Sequence, residues 1–115
     1  MNNIKTGIVE IDELLNEEFS KFEKVLVDIR NLLARRNMAY GDSNLLDAGL
    51  IGIVVRMNDK IGRIKNILKE FSTNEITQED ESVIVDALMD IAGYAVNALR
   101  LIEEGRMTKY GRFFD

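Results

Sequence analysis

The chain contains neither cysteine nor histidine, and these two absences exclude much of the chemistry that small proteins use. Without cysteine there are no disulfides and no thiolate nucleophiles, and without histidine there is no Ser-His-Asp triad. The usual zinc sites, which combine Cys and His ligands, are excluded as well. Any catalysis would therefore depend on carboxylates, Lys, Arg, Tyr, Ser or a hard metal ion bound by oxygen ligands.

Proline is also absent, so the residue that most strongly interrupts helices does not occur in the 115 residues. Hydrophobic residues make up 46% of the chain and charged residues 30%, which is typical of a soluble folded protein. Strong helix formers are abundant along the whole chain. We therefore expect an all-α fold in a single helical domain over residues 1–115.

The formal net charge is -5 and the isoelectric point is near 4.8, which disfavours sequence-independent binding to nucleic acid. No window approaches 18 uncharged apolar residues, and the first residues lack the apolar stretch of a signal peptide. We expect a cytoplasmic protein that has neither a membrane nor a nucleic acid as its partner.

The spacing of apolar residues predicts three main helices. The first runs from about Gly7 to Arg36, with Thr6 available as its N-cap. A polar break at Asn37–Ser43 separates it from the second helix, Leu45–Glu70.

A polar connection at Phe71–Gln78 leads to the third helix, where Thr77 and Asp80 have the spacing of a capping box. That helix extends to about Glu104, and Gly105 is placed to end it. The last ten residues, RMTKYGRFFD, are basic and aromatic. They fit a frayed tail, a C-terminal strap over the bundle or a contact to a second subunit.

The third helix is apolar over most of its circumference and has one narrow polar stripe. Helical geometry places Asp86 and Asp90 one above the other on that stripe. Because a helix of this composition is normally buried, and an unpaired buried carboxylate is costly, both aspartates are expected to face cations. The stripe consists of Ser82, Asp86, Asp90, Gly93, Asn97, Arg100 and Glu104.

The second helix has a complementary stripe of charged residues, with Ile and Leu residues on its other side. Gly49 and Gly52 lie on the charged side and lower helix stability, so we expect another helix or a ligand to approach the backbone there. Antiparallel packing of the second and third helices would bring the two stripes face to face. The charged residues of this stripe are Arg56, Asp59, Lys60 and Arg63.

Two interpretations of the facing stripes are open. In the first, Asp86 and Asp90 form a buried salt-bridge network with Arg56 and Arg63 that only fixes helix register. In the second, Asp59 joins the two aspartates in binding Mg²⁺ (or Mn²⁺), and cations of the second helix bind phosphate oxygens. The cations of this second interpretation are Arg56, Lys60 and Arg63.

Three successive motifs resemble the nucleotide-modification-associated domain family, small helical proteins found largely in phages. They are YGDS at residues 40–43, GLIGIVVRMNDKIGRIKNIL at 49–68 and DALMDIAGYA at 86–95. The DxxxD helix is also distantly similar to the acidic helix of MazG-like pyrophosphohydrolases. The resemblance implies an all-α nucleotide enzyme that uses Mg²⁺, located in the host cytoplasm if it is encoded by a phage.

Only some residues match the MazG-like pattern. Asp86 and Asp90 correspond to its acidic helix, but Asp59 stands where those enzymes have an EExxE cluster, and that cluster is missing. Glu17 and Glu18 form an EE pair, but a third acid at the required spacing is missing because position 21 is Lys21. Glu81 is a further candidate metal ligand, although its position also suits the helix dipole.

Three other residues are candidate nucleoside contacts. Tyr40 could stack on a base or pack in the turn, and Asp42 could bind a ribose hydroxyl or cap a helix. Asn97 could hydrogen-bond a base or a neighbouring backbone group.

The leading hypothesis is a Mg²⁺-dependent nucleoside triphosphate pyrophosphohydrolase. The alternatives are a non-catalytic protein that sequesters or senses a nucleotide, and a structural or adaptor bundle. In each case we expect a homodimer or higher oligomer, because three helices leave the apolar third helix incompletely covered.

Overall fold

The computed structural model describes residues 8–70 and 75–107. These ranges contain three helices and no strand: α1, Val9–Tyr40; α2, Ser43–Glu70; and α3, Gln78–Glu103. The predicted all-α fold with three main helices is confirmed. Thr6, residues 71–74 and residues 108–115 lie outside the described residues, so the first N-cap and the C-terminal strap stay predictions.

The chain divides into two compact units, residues 1–38 and residues 39–115. The first unit contains most of α1, on which Ile29 is buried and Phe22 and Val25 are more than half exposed. The second unit contains α2 and α3, which pack against one another. The candidate site lies entirely in this second unit.

The contact between α2 and α3 is built from two large apolar side chains and several small residues. Ile53 of α2 and Leu101 of α3 are fully buried. Ala87, Gly93 and Ala98 are the other buried residues of α3. Because these residues have little or no side chain, the helix backbones can approach closely. The helices are antiparallel, as expected, since the start of α2 lies beside the end of α3.

Both ends of α3 follow the sequence prediction. The Asp80 backbone N–H donates to Thr77 Oγ1 at 3.0 Å, and the Thr77 backbone N–H donates to the Asp80 carboxylate. Gly105 has a φ of 71°, and its N–H bonds the Ile102 carbonyl. Glycine adopts this conformation without the steric cost that a side chain would add, which makes it a suitable helix stop.

The predicted break between the first two helices is too long. α1 continues to Tyr40, so that only Gly41 and Asp42 separate it from α2. Gly41 has a φ of 67° and supplies the turn. Asn37 and Met38 are exposed, and both have a weaker helix propensity than alanine. They are nevertheless helical, because no residue before Gly41 forces the chain out of the helix.

Gly49 interrupts α2 with φ 69° and ψ −177°, a backbone region that is essentially restricted to glycine. The residue is buried, and the helix bends at this point. A Cβ built on Gly52 would lie 2.5 Å from the Ala48 Cβ, so the close neighbour of Gly52 is the preceding turn of α2. Among the described residues no other helix comes within 4 Å of this position, and the approach of a ligand stays a prediction.

The side of α3 that we expected to be buried is only partly covered. Leu88 is 53% exposed and Leu99 is 68% exposed, and Val85 and Val96 on the same side are exposed as well. α2 packs against a different edge of the helix, the one that carries Ala87 and Ala98. By length and composition alone α3 could cross a membrane, which is weak evidence, and the expected absence of a membrane partner stays a prediction.

The kink at Gly49 can be tested by comparing two glycine-to-alanine variants of α2. Gly49→Ala should lower the free energy of unfolding by about 1 to 3 kcal/mol, because alanine is strained in this backbone region. Gly62→Ala should raise it by up to about 1 kcal/mol, since its added methyl group meets open space within a regular helix. Urea unfolding followed by circular dichroism measures both changes. Equal effects of the two substitutions would contradict the kink.

Candidate functional site

One face of α2 and one residue of α3 line an open cavity of about 420 Å³. Arg56, Lys60 and Arg63 follow one another at intervals of four and three residues, and Asp59 stands directly before Lys60. All four therefore lie on one side of α2. Three of them are cations and one is an acid, and α3 contributes an aromatic ring. The lining residues are Arg56, Asp59, Lys60, Arg63 and Tyr94.

Only one of the three cavity cations is held by a carboxylate of α3. Lys60 Nζ lies 3.1 Å from an Asp90 carboxylate oxygen, and both side chains are mostly buried. Among residues 8–70 and 75–107, neither Arg56 nor Arg63 forms an ion pair. The network expected between the two aspartates and these arginines is therefore absent from the described part of the chain. Two guanidinium groups remain available to an anion in the cavity.

The four candidate metal ligands are not brought together. Asp59 lines the cavity, whereas Asp90 pairs with Lys60, and Asp86 and Glu81 are exposed on α3. In the described ranges no three Asp or Glu side chains come close enough to hold one metal ion. This arrangement does not fit a magnesium site made from three protein carboxylates. The Mg²⁺ (or Mn²⁺) site stays a prediction.

A second polar cluster joins the start of α2 to the end of α3. The Asp42 carboxylate accepts from both terminal nitrogens of Arg100, at 2.7 and 3.3 Å, and from Arg106 at 2.8 Å. The Asp42 side chain is only 9% exposed. Arg100 also donates to the Asn97 side-chain oxygen and to Glu104. Such bidentate, charge-assisted bonds are among the stronger polar interactions in proteins.

The cluster changes the acidity of its members. The hydrogen bond from Arg100 lowers the pKa of Asp42 below its usual value, against the opposing effect of burial, and the bond from Arg106 lowers it further. The same interaction raises the pKa of Arg100. Each partner therefore stabilises the charged form of the other.

The three candidate nucleoside contacts lie outside the cavity lining. Asp42 and Asn97 belong to the Arg100 cluster, where their oxygens already accept hydrogen bonds. Tyr40 is 76% exposed at the last residue of α1, so the interpretation that it packs in the turn is wrong. These positions fix the geometry of the helix ends and do not contribute to the cavity.

The aromatic residue of the cavity is Tyr94, which sequence reasoning missed. It stands four residues after Asp90, so both side chains lie on the same face of α3. This interval of four is the signal that identifies Tyr94, but the predicted polar stripe lies on the other side of Asp90. The ring is half-buried and belongs to the lining formed by the two helices.

The chain matches no family model, no curated protein and no solved structure.

The Asp42 cluster makes stability depend on pH in a defined direction. Because the pKa of Asp42 is lowered in the folded state, its ionised carboxylate stabilises the fold above about pH 4, and this contribution is lost as the pH falls through the folded-state value. Asp42→Asn should lower the free energy of unfolding by about 1 to 3 kcal/mol at neutral pH, and the difference from the wild type should shrink in acid.

Denaturant unfolding from neutral to acidic pH measures this difference. Asp28→Asn is a suitable control, because Asp28 pairs with Lys24 on an exposed surface where ion pairs contribute little. If Asp42→Asn and Asp28→Asn lost the same amount at every pH, the cluster would not be the stabilising contact described above.

Proposed function

We propose that the protein binds the phosphate groups of a nucleotide in the cavity between α2 and α3, and that it does so without hydrolysing the nucleotide. The observation that supports this function best is the convergence of Arg56, Lys60 and Arg63 on one cavity in which only Lys60 pairs with a carboxylate of α3.

The chemistry of the lining suits such a ligand. Guanidinium groups bind phosphate oxygens through two parallel hydrogen bonds, which a lysine cannot do. Tyr94 offers an aromatic face on which a base could stack. A volume of about 420 Å³ is within the range of small-ligand pockets, and the chain's resemblance to nucleotide-modification-associated proteins points to the same class of ligand.

One acidic residue of the wall opposes an anion and so affects specificity. Asp59 lies among the cations, and its carboxylate would repel a phosphate placed beside it. It would accept hydrogen bonds from a ribose hydroxyl or an exocyclic amine of a base. We therefore assign the phosphates to the two arginines and the nucleoside to the part of the cavity near Asp59 and Tyr94.

Removal of either arginine should weaken nucleotide binding without changing the fold. Arg56→Ala and Arg63→Ala should each raise the dissociation constant about tenfold or more, because each substitution removes charge-assisted hydrogen bonds to phosphate. Calorimetry with a panel of ribonucleotides and deoxyribonucleotides in EDTA measures the effect. Lys65→Ala removes a cation that does not line the cavity and should leave binding unchanged.

Each outcome of this comparison has a clear meaning. If no nucleotide binds to the wild type, the proposal fails and the interpretation as a structural bundle is favoured. If Lys65→Ala weakens binding as much as the arginine substitutions do, the affinity reflects overall charge and not the cavity.

The second candidate function is a Mg²⁺-dependent pyrophosphohydrolase, which the resemblance to MazG-like enzymes implies and which the position of Asp59 in the cavity favours. Such an enzyme would release nucleoside monophosphate and pyrophosphate from a triphosphate. A binding protein would return the triphosphate intact after incubation with Mg²⁺ or Mn²⁺. Product analysis by ion-exchange chromatography distinguishes the two, with Asp59→Asn as the inactive control.

The two candidate functions predict opposite effects of an Asp90 substitution on nucleotide affinity. In the wild type Asp90 competes with a phosphate for Lys60, so Asp90→Asn should tighten metal-free nucleotide binding by a few-fold. If Asp90 instead binds a catalytic metal, the same substitution should abolish hydrolysis and weaken metal-dependent binding. A loss of affinity measured in EDTA would contradict the competition between Asp90 and the phosphate.

A further inference from the structure

The exposed side of α3 has a pattern that is symmetric about its middle residue. Its members follow one another at intervals of 4, 3, 4, 4, 3 and 4 residues, and helical geometry places them within about 80° of arc. The four large apolar members are between 42% and 68% exposed. This symmetric face consists of Glu81, Val85, Leu88, Ala92, Val96, Leu99 and Glu103.

A face with this symmetry is complementary to an antiparallel copy of itself. With a two-fold axis at Ala92, Val85 lies beside Leu99 of the partner subunit and Leu88 lies beside Val96 of the partner subunit. In each of these pairs a leucine lies beside a valine. Alanine at the crossing point allows the two helices to approach closely. We propose that two copies of this chain associate through the symmetric faces of their α3 helices in this antiparallel register.

The charges around the face select a protein partner over other partners. The first turn of α3 carries Glu79, Asp80 and Glu81, and the face ends in Glu103. These acids would be repelled by an anionic lipid surface and by nucleic acid. A second copy places apolar side chains against apolar side chains along the centre of the face, and the like charges of Glu81 and Glu103 of the partner subunit weaken the contact at its two ends.

The size of the face sets the expected strength of the dimer. From Glu81 to Glu103 the helix is about 33 Å long, and one side of it is about 10 Å wide. A contact of these dimensions covers about 330 Å² of each helix, or about 660 Å² in total, which is below the range of stable protein interfaces, so we expect weak association that is seen only at high micromolar concentration. Tyr94 points to a different side, about 160° around the helix from Ala92, so that the dimer leaves the cavity open.

Sedimentation velocity over a range of protein concentrations tests the use of this face. The wild type should change from monomer to dimer as its concentration rises. Leu99→Glu should remain monomeric, because it places a charge within the apolar contact, beside Val85 of the partner subunit. Leu68→Glu is the control, since Leu68 is a similarly exposed leucine on α2, and this variant should still form dimers. Circular dichroism verifies that both variants are folded.

A charge exchange at the ends of the face tests the register. Glu81→Lys and Glu103→Lys should each tighten the dimer about two- to fivefold at low salt, because each creates opposite charges across the two-fold axis. The double variant places lysine against lysine and should bind no more tightly than the wild type. A wild type that is monomeric at every concentration, dimers of Leu99→Glu, or additive tightening in the double variant would each overturn the proposal.

Discussion

The register of α2 against α3 depends on the carboxylate of Asp42. The side chain is nearly buried, and it accepts hydrogen bonds from Arg100 and Arg106 near the end of α3. A shift of either helix by one turn, about 5.4 Å, would break these bonds and leave a buried charge without its partners. The burial of apolar residues such as Ile53, Ala87 and Ala98 would tolerate such a shift more easily, because the hydrophobic effect has no preferred direction.

This fixed register determines the composition of the cavity. With the start of α2 held beside the end of α3, Lys60 comes opposite Asp90, and Tyr94 reaches the side of α2 that carries the arginines. Only Lys60 is neutralised from α3, and the arginines one turn before and after it are left without an ion pair among the described residues. The excess of positive charge in the cavity, in a chain whose net charge is -5, therefore follows from the pairing of two helices.

Local signals allowed much of the fold to be predicted from the sequence. The capping box of Thr77 and Asp80 and the stop at Gly105 involve residues within a few positions of one another, so their geometry is determined by the local chain. The kink at Gly49 could not be predicted, because a glycine in a helix-like pattern is compatible with both a regular helix and a bend. The four cavity residues of α2 were found because they share one helix face and one type of chemistry.

Which edge of α3 is buried could not be predicted from the sequence. A helix with apolar residues around most of its circumference offers more than one edge for packing, and periodicity alone does not rank them. α2 packs against the edge that carries Ala87 and Ala98, and Ile53 and Leu101 are completely buried. Asp86 consequently remains exposed and needs no cation, while Asp90 lies near α2 and pairs with Lys60.

The low charge of the middle of α3, where Asp86 and Asp90 are the only charged residues between positions 82 and 99, has a physical explanation in this arrangement. One edge packs against α2, Tyr94 and Asp90 form part of the cavity wall, and the symmetric face stands on the opposite side. Each of these roles excludes unpaired charge, so polar residues are confined to the ends and to one narrow stripe. A helix that only covered α2 would need apolar residues on a single edge, and Val85, Leu88, Val96 and Leu99 would then be exposed without any stabilising contact. Their presence in a symmetric pattern is therefore the strongest reason to assign that side of α3 a partner.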